Sequence, residues 1–182
     1  CNVFTELKFN IDSNYFINNL LSYPEKLKDL GEFQVSSLNE KDFIASRTAY
    51  HLNLTGPAVS VYSACSTSLL AVVQAVESIR QGNCEMALAG GASVKSPTFS
   101  GHLYEEGSAY SKDGHCKSFD ADAKGTVFSD GAGVVLLKDI EAAKRDGDNI
   151  LAIIKGVGVN NDGGNKGSFS APSVEGQAIA IR

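Results

Sequence analysis

Apolar residues change their period at Cys65. Val59 and Val61 alternate with small polar residues, the two-residue repeat of a strand, and that run stops at the cysteine. From Ser66 to Arg80 the repeat becomes helical: Leu69, Val72, Val73, Val76 and Ile79 fall on one face, and Gly82 is placed to end the helix. A strand leading straight into a helix belongs to an α/β architecture.

The rest of the chain keeps alternating between the two periods. Val3 to Leu7 reads as a short strand. Tyr15 to Leu21 reads as a helix, and Ser22 with Glu25 forms a capping-box pattern for a second one through Leu30. Ser37 with Glu40 repeats that pattern ahead of a helix from Lys41 to Leu52, closed by the turn from Asn53 to Pro57. Met86 to Ala89 reads as a short strand ending at Gly90-Gly91, followed by an irregular stretch towards Phe119. Val134 to Leu137 has the continuous apolar character of a buried strand. Ile140 to Arg145 follows as a short helix, then a turn at Asp146-Gly147-Asp148, and Ile150 to Val159 as the last strand. Asn160 to Pro172 is a glycine-rich loop. Repeats and linkers are lacking, and 182 residues at 43% hydrophobic content suit one domain with a packed core.

Both ends look cut. The chain starts at Cys1, and the apolar face of Val174, Ala178, Ile179 and Ile181 reaches Arg182 without a glycine cap, so an internal fragment is expected. Net charge is −5 and the sixteen Lys and Arg are scattered, which speaks against nucleic acid as a partner. Neither a bilayer-length apolar run nor a secretion signal is present, so a cytoplasmic protein without membrane attachment is expected. The cysteines Cys1, Cys65, Cys84 and Cys116, with three histidines, make neither a zinc ligand set nor a disulfide scaffold. No metal site and no directly bound cofactor is expected.

A cysteine in the first turn of a helix meets unpaired N–H groups and the positive end of the macrodipole, which favours the nucleophilic thiolate. The same N–H groups can face the oxygen of an acylated carbonyl, and Ser63, Ala64, Ser66 and Ser68 are small enough to leave room for an acyl chain. An inert buried thiol at a sharp turn is the other reading, and position by itself leaves both open. Cys84, beside a strand start, and Cys116, in a loop with no charged helix end nearby, read as structural.

The run from Gly56 to Leu70, GPAVSVYSACSTSLL, resembles the active-site segment of β-ketoacyl synthases, above all those of modular polyketide synthases. Gly82 to Gly91, Glu106-Gly107, Ser111 to Asp120 as SKDGHCKSFD, Gly131 to Lys138, Asn160 to Gly163 and Ser170 to Ser173 keep that family's order and spacing. The resemblance implies a thiolase-like α/β fold, with residues 1–182 forming most of its N-terminal half, truncated at both ends. It also implies an acyltransferase of the 3-oxoacyl synthase type, usually a homodimer, acting in polyketide or fatty acid biosynthesis. Cys65 would accept an acyl group from the phosphopantetheine of an acyl carrier protein, for decarboxylative Claisen condensation with a malonyl-type extender. The two histidines that the family uses for decarboxylation fall beyond Arg182, and His51, His102 and His115 match neither motif. The chain by itself is therefore expected not to condense.

Asn2, Glu6 and Ser129 stand where the family usually has glycine, and Val73 replaces a common histidine. A lost glycine that needed unusual backbone angles would strain the fold. This leaves open a decaying or non-condensing copy that only binds acyl chains or dimerises. A condensing enzyme acting on coenzyme A thioesters fits SKDGHCKSFD and AGGASV less well, and neither Gly131-Ala132-Gly133 nor Gly156-Val157-Gly158 completes a dinucleotide fingerprint.

Overall fold

The computed structural model describes residues 2–10, 40–95 and 101–182, with the backbone only for residues 2–10 and 95. Among the described residues four strands form one mixed sheet: β1 (Asn2–Asn10), β2 (Ala58–Ser60), β3 (Met86–Lys95) and β4 (Gly131–Lys138), in the order β2-β1-β3-β4. β1 runs parallel to both β2 and β3, whereas β4 is antiparallel to β3. Parallel neighbours need a crossover. Helix α1 (Phe43–His51) lies on the path from β1 to β2, and α2 (Thr67–Arg80) carries β2 over to β3.

Small side chains make the core. Val61, Ala71, Ala75, Ala87 and Ala89 form a buried cluster, flanked by Leu70, Val72, Ile79, Cys84 and Leu137. On α2 the buried residues are Thr67, Ala71, Ala75, Val76 and Ser78, whereas Leu69 is 72% exposed. Of the face expected from hydrophobicity, Val76 is buried and Val72 and Ile79 pack against the cluster, whereas Leu69 turns outward and the small residues Thr67, Ala71, Ala75 and Ser78 make the closest contact. Bulk ranks a residue as apolar, but a helix lying close on a sheet selects for short side chains. Ala45 and Ala49 of α1 repeat the arrangement against Leu54 and Leu88.

Three strand expectations change. Gly90-Gly91 does not end β3, which continues to Lys95, with Gly90 opposite Val134 and Gly91 opposite Gly133. The glycines are there for space: a Cβ on Gly90 would collide with the Gly133 carbonyl oxygen, and one on Gly91 would lie 3.0 Å from Ser68 Cβ. β4 is not buried either, since Val134, Val135 and Leu136 are exposed on this last strand of the sheet. Ile150 to Val159 forms no strand: among the described residues it has no ladder partner, and Leu151 and Ile153 are exposed. Strand-like sequence becomes a strand only when a neighbour takes up its backbone groups. This segment instead accepts a bond from Arg80 Nη2 at Lys155 O (3.4 Å).

Two further helices follow β4. In α3 (Ile140–Asp146), Asp139 Oδ1 accepts from the N–H of Glu141 (3.0 Å) and Ala142 (3.1 Å), and Gly147 ends the helix at φ 72°. In α4 (Val174–Ile181), Ser173 Oγ accepts from Gly176 N–H at 3.0 Å. The helices expected between Tyr15 and Leu30, and the capping residue Ser37, lie outside the described residues. Asp42, at the N-cap of α1, makes no side-chain cap. Among the described residues no helix is long and apolar enough to cross a membrane.

Candidate active site

Cys65 sits in a single 3₁₀ turn, Ala64–Ser66, wedged between β2 and α2. Its thiol is free and exposed rather than buried. The turn is sharp because Ala64 adopts φ 49°, a left-handed conformation that a side chain with a Cβ disfavours. Hydrogen bonds hold it. Ser66 N–H and Ser66 Oγ both donate to Ser63 O (3.2 and 2.9 Å), and the Ser63 and Ser66 hydroxyls lie 2.7 Å apart. Thr67 Oγ1 accepts from Ser63 N–H and donates to Ala64 O, each at 2.8 Å. The Ser66 N–H is therefore engaged inside the turn and is not among the donors an acyl oxygen would meet.

The turn opens onto a cleft of about 410 Å³. Ala64, Cys65 and Ser68 form one wall, Gly91 to Ser93 of β3 and Gly131 to Gly133 of β4 the floor, and Val127, Phe128 and Ser129 the far side. Among the described residues, Cys65 is the sole ionisable side chain in that lining. Of the small neighbours expected to make room, Ala64 and Ser68 do so, while Ser63 and Ser66 bond to each other. The floor carries a signal of its own in the sequence, the small-residue runs AGGAS and GAG that build it, whereas Val127 to Ser129 of the far side carry none.

A second loop positions that far wall. Thr126 N–H donates to Ala109 O and Ser111 N–H to Thr126 O, each at 2.8 Å, tying residues 109–111 to the segment that enters the cleft. Gly125 makes this approach possible, since it takes φ 119° and a Cβ there would lie 2.7 Å from Tyr110 backbone atoms. Tyr110 stacks on His102 (centroids 4.8 Å) and meets Phe128 edge-on (5.4 Å). Ser129 is not among the residues with positive φ, and Glu6 lies within the β1 ladder opposite Gly91, so neither replacement forces a glycine-only conformation.

Cys1 falls outside the described residues; Cys84, Cys116, His51, His102 and His115 lie outside the cleft lining. Cys84 is half-buried, its Sγ 3.6 Å from Ser78 Oγ. Cys116 lies in a loop, as expected: Thr126 Oγ1 lies 3.3 Å from its sulfur and Val127 N–H donates to it at 3.0 Å, and these bonds lower its pKa. His51 packs edge-on to Tyr50, His102 Nε2 lies 2.9 Å from Ser111 O, and His115 Nδ1 lies 2.9 Å from Asp113 O. His115 is thus a loop residue, as expected.

That loop is organised by Asp113. Its Oδ1 accepts from Ser111 Oγ (2.7 Å) and from His115 N–H (3.1 Å), and these bonds, with Lys117 nearby, hold its pKa down at about 2 from an ordinary 3.8. A depressed carboxylate stabilises the fold above its unfolded pKa, and the contribution is lost as pH falls towards the folded value. Melting temperature is therefore expected to drop from pH 3.8 towards about 2, and less steeply in Asp113→Asn. Equal slopes in a thermal titration would contradict this.

Comparison with known proteins agrees with this geometry. Residues 10–143 match the family model "Beta-ketoacyl synthase, N-terminal domain". Over 175 residues the chain is 43% identical to a phenolphthiocerol/phthiocerol polyketide synthase of Mycobacterium tuberculosis, covering 93% of this chain and 12% of that protein. A polyketide synthase of Bacillus subtilis is 41% identical over 145 residues, 80% of this chain and 3% of its own length. Among solved structures, ketosynthase twelve of the bacillaene polyketide synthase from Bacillus amyloliquefaciens superposes with a TM-score of 0.85 at 38% identity. That match covers 99% of this chain and 31% of that chain. An oxazolomycin ketosynthase domain of Streptomyces albus gives 0.76 at 33% identity, covering 99% of this chain and 30% of that one. The chain thus spans less than a third of the ketosynthases it superposes on, and a far smaller share of the curated relatives. A free thiol on a strained turn, with that turn on a sheet shared with solved ketosynthases, leads to one assignment: this chain has the thiolase-like fold of a ketosynthase's N-terminal part and belongs to the β-ketoacyl synthase family.

Proposed function

We propose that Cys65 is the acyl-accepting nucleophile of a polyketide β-ketoacyl synthase. The observation that carries this is its exposed thiol on the strained turn ahead of α2, facing a cleft in which, among the described residues, no other ionisable side chain takes part in the lining. The thiolate attacks the carbonyl carbon of an acyl group carried on the phosphopantetheine of an acyl carrier protein. A bond from Sγ to that carbon forms and the bond from carbon to the carrier sulfur breaks. The carrier leaves as a thiol, having taken up the proton that Cys65 gave up.

Condensation makes a further demand. Loss of carbon dioxide from a malonyl-type extender leaves a carbanion, which attacks the carbonyl carbon of the thioester on Cys65; a carbon–carbon bond forms, the bond to Sγ breaks and Cys65 leaves as the thiolate, and the developing negative charge needs hydrogen-bond donors. Since His51, His102 and His115 lie outside the cleft lining, we assign that step to the remainder of a complete ketosynthase domain, together with its homodimer contacts. This chain contributes the acyl acceptor.

Incubating the ketosynthase domain that carries this chain with an N-acetylcysteamine acyl thioester, followed by peptide mass spectrometry, tests the assignment. The acyl mass is expected on the peptide containing Cys65. An acyl group found on Cys84 or Cys116 instead overturns it. Cys116 is a demanding internal control, because its own hydrogen bonds favour its thiolate.

A further inference from the structure

We infer that Thr67 is the positioning residue for the reactive thiol: its hydroxyl locks the left-handed turn that presents Cys65 to the cleft. This rests on the reading of Cys65 as the acyl acceptor. A residue with a Cβ at φ 49°, as Ala64 has, persists only where its surroundings over-determine the conformation. Thr67 supplies that constraint. Its Oγ1 accepts from Ser63 N–H and donates to Ala64 O, both at 2.8 Å, so one atom grips the backbone on either side of Ala64.

The hydroxyl is itself held in place. Thr67 is 1% exposed and heads the stripe of Ala71, Ala75 and Ser78 by which α2 lies on the sheet. Packing there favours an apolar side chain, and a buried hydroxyl is tolerated only where its hydrogen bonds are made. The neighbouring pair of Ser63 and Ser66 hydroxyls is exposed, so water can replace either partner. The sheet thus fixes α2, α2 fixes Oγ1, and Oγ1 fixes the turn beneath the sulfur.

The test compares Thr67→Val, Thr67→Ser, Ala64→Gly and the double variant Ala64→Gly/Thr67→Val in the whole ketosynthase domain. The readout is the rate of acyl transfer from an N-acetylcysteamine thioester to Cys65, followed by intact-protein mass spectrometry at several thioester concentrations. Thr67→Val is expected to lower the limiting rate about tenfold to a hundredfold, because small displacements of a reacting group have effects of that size. The half-saturating concentration is expected to stay within about twofold, since the lost interaction is not a ground-state contact with substrate. Thr67→Ser keeps the hydroxyl and is expected to stay within about threefold of the wild-type rate. Glycine adopts the left-handed turn readily, so in the Ala64→Gly background the loss caused by Thr67→Val is expected to shrink to about threefold or less.

A folded Thr67→Val domain acylated at the wild-type rate overturns the proposal, as does an equal loss with and without Ala64→Gly. Should Thr67→Val fail to fold, Thr67→Ser still decides: a loss of about tenfold or more in this variant, which keeps both hydrogen bonds, contradicts the mechanism. A wild-type domain that takes no acyl group on Cys65 overturns the acyl-acceptor reading itself, and is seen before any variant is compared.

Discussion

Replacing Cys65 by alanine is expected to lower acyl uptake by the ketosynthase domain by at least about a thousandfold, because covalent capture has no substitute once the nucleophile is gone. Stability should hardly move. The thiol is exposed, and a surface substitution of this kind shifts folding by about 0.5 kcal/mol or less. Cys65→Ser separates nucleophilicity from shape, since its hydroxyl occupies nearly the same place but stays protonated at neutral pH. Radiolabelled or isotopically labelled acyl thioester, counted on the protein after rapid quenching, gives the rates. Uptake by Cys65→Ala at more than a few per cent of the wild-type rate would place the acyl acceptor elsewhere.

The second large effect is expected on the fold. Gly90→Ala places a Cβ against the Gly133 carbonyl oxygen, 2.8 Å from Val134 Cα and 3.0 Å from the Gly133 carbonyl carbon. All three atoms belong to the backbone of β4, which is paired to β3 at this point, so relief requires breaking the ladder. Over-packing costs about 1–3 kcal/mol when side chains can yield, and a backbone obstacle puts the expected loss at about 3 kcal/mol or more. Denaturant titration followed by far-ultraviolet circular dichroism measures it, and an unchanged midpoint would refute the close approach. Gly91→Ala is a milder companion, because its Cβ meets the side chain of Ser68 at 3.0 Å, in the first turn of α2.

Local sequence rules read part of this molecule well. The change of period at Cys65 places β2, the turn and α2 within a few residues of where they lie, because each side of the switch is packed on a single sheet. Asp139 and Gly147 mark the ends of α3 through local backbone demands that any chain would impose. What stayed hidden depends on distant partners. Nothing adjacent to Ile150–Val159 tells whether a neighbouring strand will take up its backbone groups. Gly90 looks like a strand end until Gly133 is seen against it. Thr67 reads as an ordinary polar residue after the cysteine, since its hydrogen bonds to Ser63 and Ala64 need the left-handed turn to exist. The cleft's far wall comes from residues 127–129, some sixty positions after the nucleophile, which no local period can bring together.

The stripe of small residues beneath α2 has a consequence for motion. Alanine loses no rotamer entropy on burial, and threonine and serine lose little, so the contact of α2 with the sheet is ordered at low entropic cost. At the centre of that contact little can rearrange, the larger Leu70, Val72, Val76 and Ile79 lying to its sides. Long side chains let packed helices slide by trading one rotamer for another, whereas Ala71 and Ala75 offer no alternatives. Excursions of the backbone that carries Cys65 should therefore follow those of the sheet, which leaves rotation about the cysteine's own side-chain bond and the acyl chain to do the adjusting.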